Sequence, residues 1–171
     1  LYSEYVPVSC CDAGQDYILV QLEVKDLHGN VNYCMVEVAV QDKVAPMIVC
    51  PPDIEVSCQF WFDPNILEDP NNRTFGTVVD GFVYDQSARQ LITIDDPGNP
   101  EYPQPHTWGR DGYVTDNCNL EMDIRVTVFD DCSGDDLPGD APAGAVKLVQ
   151  RRFTATDPAG RVGTCTQRIW V

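Results

Sequence analysis

Carboxylates and thiols are the side chains whose number and spacing could carry chemistry here. Acidic residues occur as adjacent pairs at Asp95-Asp96, Asp130-Asp131 and Asp135-Asp136. Two carboxyl groups held about 5 Å or about 6.5 to 9.5 Å apart across a sugar make a glycosidase, whereas clustered oxygens on a turn suit a hard cation such as Ca²⁺. All three pairs lie in predicted turns, where a solvated acidic loop is the first expectation and calcium the second. Asp130, Asp131, Asp135 and Asp136 are the candidate ligands in one such loop. Asp42 is another, at a short linker that a bound ion would stiffen. No EF-hand loop is present in the sequence.

Nucleophilic chemistry has less support. No serine stands in a Gly-x-Ser-x-Gly elbow, and the two histidines, His28 and His106, fall in a predicted hairpin turn and a Pro-rich loop. Eight cysteines (Cys10, Cys11, Cys34, Cys50, Cys58, Cys118, Cys132, Cys165) include no Cys-x-x-Cys, so a zinc site is disfavoured. An even count reads as a disulfide framework in an oxidising compartment. Trp61, Tyr102 and Trp108 are aromatic side chains that could stack on sugar rings, although core or proline packing is the commoner use. Asn72-Arg-Thr74 is a glycosylation sequon only along a eukaryotic secretory route.

A formal charge of −16, from 27 acidic against 11 basic side chains, repels phosphates and disfavours nucleic acid or anionic lipid as partner. With 43% hydrophobic residues the chain is nonetheless expected to fold. No apolar run approaches the roughly 20 residues that span a bilayer, and no basic and apolar leader stands at the N-terminus. A mature protein or a fragment is the expectation.

The elements that would position these groups are strands. Leu22-Glu-Val-Lys-Asp26-Leu-His-Gly29-Asn-Val31-Asn-Tyr-Cys34 through Val40 matches Phe153-Thr-Ala-Thr-Asp157-Pro-Ala-Gly160-Arg-Val162-Gly-Thr-Cys165 through Val171, without gaps, at an offset of 131 residues. Each copy predicts two alternating strands around an Asp-x-x-Gly turn, the last hairpin of a module. The first copy ends near residue 40 and the second at residue 171. Residues 1–41 are therefore expected to be the C-terminal part of one module, 42–46 a linker and 47–171 a complete module, cut from a longer array. Further strands are predicted at Ile48–Cys50, Ile54–Cys58, Leu91–Ile94, Met122–Phe129 and Val146–Phe153. Thirteen Pro and twelve Gly leave little room for helix. The stretch 60–113 is rich in Pro and Asp and is expected to cover sheet ends and edges.

By the repeat, Cys34 corresponds to Cys165, and Cys11 is aligned with Cys132 because each precedes the penultimate strand. Cys11–Cys34 and Cys132–Cys165 are then the favoured bridges, with Cys10, Cys50, Cys58 and Cys118 pairing among themselves. Eight cysteines allow 105 connectivities, and the sequence does not choose.

The run Val38-Ala-Val-Gln-Asp42-Lys-Val-Ala-Pro46-Met-Ile-Val-Cys50-Pro-Pro-Asp53-Ile resembles the start of a hyalin repeat (HYR) module. Thr115-Asp-Asn-Cys118 and Phe153-Thr-Ala-Thr-Asp157 through Cys165 resemble that family's middle and end. Cys58-Gln-Phe-Trp-Phe62 and Asp111–Cys118 are similar to the variety in giant surface proteins of Bacteroidota exported by the type IX system, gliding-motility adhesins among them. The long 60–113 insertion, the Cys10-Cys11 pair and Arg161 in place of Asn depart from the pattern. The resemblance implies tandem, all-β, immunoglobulin-like β-sandwich modules stapled by disulfides. It further implies an extracellular or cell-surface setting and a non-catalytic structural or adhesive role. Partners would be neighbouring repeats, a homo-assembled filament or surface polysaccharide. The alternative is a carbohydrate- or ligand-binding accessory module of a secreted enzyme, with 60–113 as its binding face. A hydrolase in its own right comes third.

Overall fold

The computed structural model describes residues 3–80, 83–85, 90–92, 105–106, 109–116, 118–130 and 136–171. They are sheet-rich, with 3-10 turns at Cys10–Asp12 and Pro64–Glu68 and no α-helix among the described residues. Strands β1 (Ile18–Lys25) and β2 (Val31–Val38) form a separate antiparallel hairpin. β3 (Met47–Val49) and β5 (Val78–Asp80) flank β10 (Gly112–Thr115), antiparallel and parallel respectively. β11 (Glu121–Asp130), β12 (Lys147–Thr156), β13 (Val162–Trp170) and β4 (Ile54–Glu55) make the largest sheet, in that order, with β4 parallel to β13. Two short pairs are also present among the described residues, β6 (Val83–Asp85) with β7 (Gln90–Ile92) and β8 (Pro105–His106) with β9 (Gly109–Arg110).

The duplicated hairpin is duplicated in register as well as in sequence. In β1–β2 the ladder runs from Lys25 opposite Val31 to Ile18 opposite Val38; in β12–β13 it runs from Thr156 opposite Val162 through Val149 opposite Ile169. The turns close identically. Asp26 N–H donates to Asn30 O at 2.9 Å and Asp157 N–H to Arg161 O at 3.0 Å. Gly29 and Gly160 take φ of 87° and 80°, the left-handed conformation that a Cβ disfavours. Asp26 also accepts from the Asn30 side chain and backbone and from His28 N–H. Those bonds, the Asn30 amide foremost, hold its carboxyl below the usual range.

Strand boundaries from the sequence fall within a few residues of those observed, but β5 and β10, like the short β6, β8 and β9, were not anticipated. β5 and β10 are short too, and the parallel pairing between them has no turn signal to announce it. Nor is all of 60–113 loop covering. Leu67 and Phe75 are fully buried, in one cluster with Val56, Val149 and Ile169. The rings of Phe60 and Phe62 stand edge-on to Phe75 at 6.0 and 5.0 Å. Edge protection is also present, since the Glu68 carboxylate accepts from Val126 N–H of β11 at 3.1 Å.

One buried cation ties that irregular segment to the main sheet. Arg151 of β12 is fully buried, with Nε donating to Leu67 O, and Nη1 to Gly76 O at 2.7 Å and Gln167 Oε1 at 3.0 Å. Its guanidinium lies 4.9 Å over the Phe153 ring. Gln167 in turn donates to Pro52 O and Phe75 O. Burial pushes the Arg151 guanidinium down from its ordinary value to about 10. The unfolded chain therefore holds that proton more tightly. The resulting penalty on folding is in force below about pH 10 and relieved only as pH rises above it. Replacing Arg151 by Met removes donors from three buried acceptors, and urea denaturation is expected to show a loss of about 3 kcal/mol. Arg152→Met, at the exposed neighbouring position, is expected to change stability by no more than about 0.5 kcal/mol.

Candidate functional site

The described residues converge on the joint between the N-terminal hairpin and the rest of the chain. Cys10, in the turn before β1, is bonded to Cys118, with Cα atoms 5.5 Å apart. Beside that bridge the linker carries Asp42, whose side chain is only 3% exposed and pairs with Arg161 at 3.0 Å. Asp42 Oδ1 also accepts from Val44 N–H at 3.0 Å, while Arg161 Nη1 donates to Val44 O at 3.0 Å. Arg161 is the last residue of the second Asp-x-x-Gly turn and is fixed there by its own N–H, which donates to Asp157 Oδ1 at 2.8 Å. The linker thus seats on a hairpin tip. Close by, a Cβ on Gly163 would strike the Pro46 carbonyl, so only glycine lets the linker lie that near β13.

Of the three positions at which the two turns differ, the last has a clear result. Asn30 folds back and donates to Asp26 Oδ2 at 2.7 Å. Its equivalent, Arg161, reaches across to the linker instead, and Asp157 Oδ2 is left buried with no hydrogen-bond partner. An intraturn bond has been exchanged for a bond across the joint.

Asp42, Asp116 and Cys118 offer three ligand atoms within 4.8 Å of one another. The sulfur is a disulfide sulfur, 3.5 Å from Asp42 Oδ2, and not a thiolate. Calcium takes 6 to 8 oxygens, whereas here a guanidinium already neutralises one of the two carboxylates. The donor set fits an ion pair better than a hard cation. Of the other acidic candidates, Asp130 pairs with Lys147 at 2.9 Å and Asp136 is exposed. Asp131 and Asp135 lie outside the described residues, as do Tyr102 and Trp108. Trp61 is 84% exposed, on the lip of a cavity of about 280 Å³ that Phe60, Phe62 and Lys147 also line.

The disulfides correct two of the expected pairings. Cys165 is bonded to Cys50, at a Cα separation of 5.7 Å, and not to Cys132. Cys34 is exposed and free rather than joined to Cys11, and Cys58 is likewise exposed and free. The repeat aligned the backbone correctly but could not say what lies across each strand. Cys165 stands opposite Phe153 on β12, whereas β11 ends at Asp130 opposite Lys147, roughly 20 Å along the ladder at about 3.3 Å per residue. The segment after β3 brings Cys50 within bridging distance. Cys10–Cys118 does fall within the remaining set of four. Sequence reasoning missed Arg161 as a site residue although it stood out as a departure from the family pattern, and it missed Asp116 altogether.

Two disulfides between half-buried cysteines are consistent with an oxidising environment, and no described helix is long and apolar enough to cross a membrane. Compared with known protein families, curated proteins and solved structures, the chain matches none.

Removing the cation from a nearly buried carboxylate is costly. Arg161→Ala is expected to lower the unfolding free energy by about 2 to 4 kcal/mol in chemical denaturation. Adding Asp42→Asn to that variant should recover part of the loss, because the charge left behind is removed.

Proposed function

We propose that the chain is a non-catalytic stretch of an extracellular array of disulfide-stapled, immunoglobulin-like β-modules, serving as a rigid spacer with an adhesive surface. The observation that carries this reading is the clamp at the joint. A covalent bridge, a nearly buried ion pair and a glycine-permitted close approach all act on a linker of a few residues, an arrangement that resists bending between two units. The register-for-register repetition of the hairpin supports tandem modules, and Cys50–Cys165 joins the segment after β3 to β13 as a bridge between two sheets of a sandwich would. The calcium expectation is not needed for stiffness, since Arg161 supplies the counter-charge at Asp42.

Electron microscopy of the full-length protein is expected to show extended strings of beads with a narrow spread of angles between neighbours. Compact globules would overturn the reading. The double variant Cys10→Ser/Cys118→Ser should broaden the angle at that joint while leaving bead size unchanged.

The exposure of Trp61 favours a second reading, in which this module binds polysaccharide at the cavity beside it. An indole with one face open is suited to stacking on a pyranose ring. On a glycan array, saturable binding by residues 1–171 that drops at least about tenfold in Trp61→Ala would support that reading, a change of about 1.4 kcal/mol. Absence of saturable binding would remove it.

A further inference from the structure

Residues opposite one another in an antiparallel ladder share a face. In β1–β2 that rule puts Val20 with Val36, Leu22 with Cys34 and Val24 with Asn32 on one side. Glu23, Lys25 and Glu37 fall on the other side. Much of the uncharged face is open to water, with Leu22 44% and Val24 64% exposed and Ile18 and Val20 half-buried; on the charged side Leu19, Tyr33 and Met35 are exposed as well. An apolar sheet face of this kind in water is costly unless something covers it.

The second copy of the hairpin shows what a covered version looks like. At the equivalent positions Arg151 faces Gln167, Phe153 faces Cys165 and Ala155 faces Gly163. Arg151, Phe153, Ala155 and Gln167 are all fully buried. The cover includes the segment running from β3 into Cys50-Pro-Pro, with Gln167 bonded to Pro52 O and Cys165 bonded to Cys50, alongside Leu67, Phe75 and Gly76, whose carbonyls Arg151 and Gln167 also bond. Cys34 occupies the same place in the same register on the same face, yet its thiol is free and exposed.

We propose that the Cys34 face of β1–β2 is the seat of a β-segment contributed by polypeptide outside residues 1–171, with the chemistry of Met47–Ile54. That chemistry is a short apolar strand leading into Cys-Pro, whose cysteine forms a disulfide with Cys34. The inference rests on the array reading and deepens it by naming what closes the first unit. One S–S bond forms and two S–H bonds break. The two electrons and two protons pass to the disulfide of a thiol–disulfide oxidoreductase in the same oxidising compartment, which becomes a dithiol. Asn32 stands where Gly163 admits Pro46, so the covering segment sits farther from the sheet at that end. A second copy of this chain is a poorer occupant, because its only uncommitted cysteines among the described residues are Cys34 and Cys58, and neither is followed by proline.

The test is disulfide mapping of the protein as its source secretes it, with free thiols alkylated before denaturation and the unreduced digest sequenced by mass spectrometry. The expected result is the Cys34 peptide joined to a peptide from outside residues 1–171 in which cysteine precedes proline, and no alkylated Cys34. An alkylated Cys34 would overturn the proposal. So would a Cys34 joined to Cys34 of a second copy, or to Cys11, Cys58 or Cys132 of its own chain. Strings of beads with an alkylated Cys34 would sink this inference and spare the array; a correctly bridged Cys34 in a compact globule would do the opposite.

Discussion

The fold depends on a cation that pairs with no carboxylate among the described residues. Between Cys50 and Gly76 the backbone is mostly irregular, and its buried carbonyls find few partners in a strand ladder. Arg151 and Gln167, opposite each other on β12 and β13, supply the missing donors to Pro52, Leu67, Phe75 and Gly76. Those oxygens would otherwise go unsatisfied in a low-dielectric interior; the guanidinium answers them through Nε and Nη1, while its buried Nη2 has no hydrogen-bond partner. The same network positions Leu67 and Phe75 in the core and brings the Cys50 segment against β13. The polar centre thus determines where the apolar core forms.

The joint follows the same logic on a smaller scale. A nearly buried acid on the linker meets an arginine at a hairpin tip, and the price is one unsatisfied oxygen on Asp157. Burial of Asp42 makes the pair worth more than an exposed salt bridge. The surface pair Arg125–Asp123, at side-chain exposures of 74% and 57%, shows the contrast, being free to exchange with water.

The sequence was most legible where geometry repeats. Alternation and the Asp-x-x-Gly turns located β11, β12, β13 and both members of the first hairpin, since a period of two and a positive-φ glycine are local signals. It was least legible where partners are distant. Arg151 looked like one residue of an alternating strand, and only a folded neighbour with empty carbonyls makes it a core residue. Cys34 and Cys165 were correctly read as equivalent, but their bonding differs because a disulfide depends on what faces the thiol. Asp42 was singled out as a lone carboxylate at a joint, but the arginine that meets it, 119 residues away, left no local signal. The short parallel partner β5 carried no local mark at all.

Seen as a load-bearing circuit, the two disulfides overlap rather than nest, since Cys10–Cys118 and Cys50–Cys165 enclose loops that share residues 50–118. Tension applied between Cys10 and Val171 then travels by backbone to Cys50, crosses to Cys165 and leaves along the last strand. That path contains about 46 residues, roughly 160 Å when fully taut, against roughly 560 Å for the same span without bridges. Complete unfolding would therefore release less than a third of the contour, and residues 51–164 would stay slack behind the single Cys50–Cys165 bond.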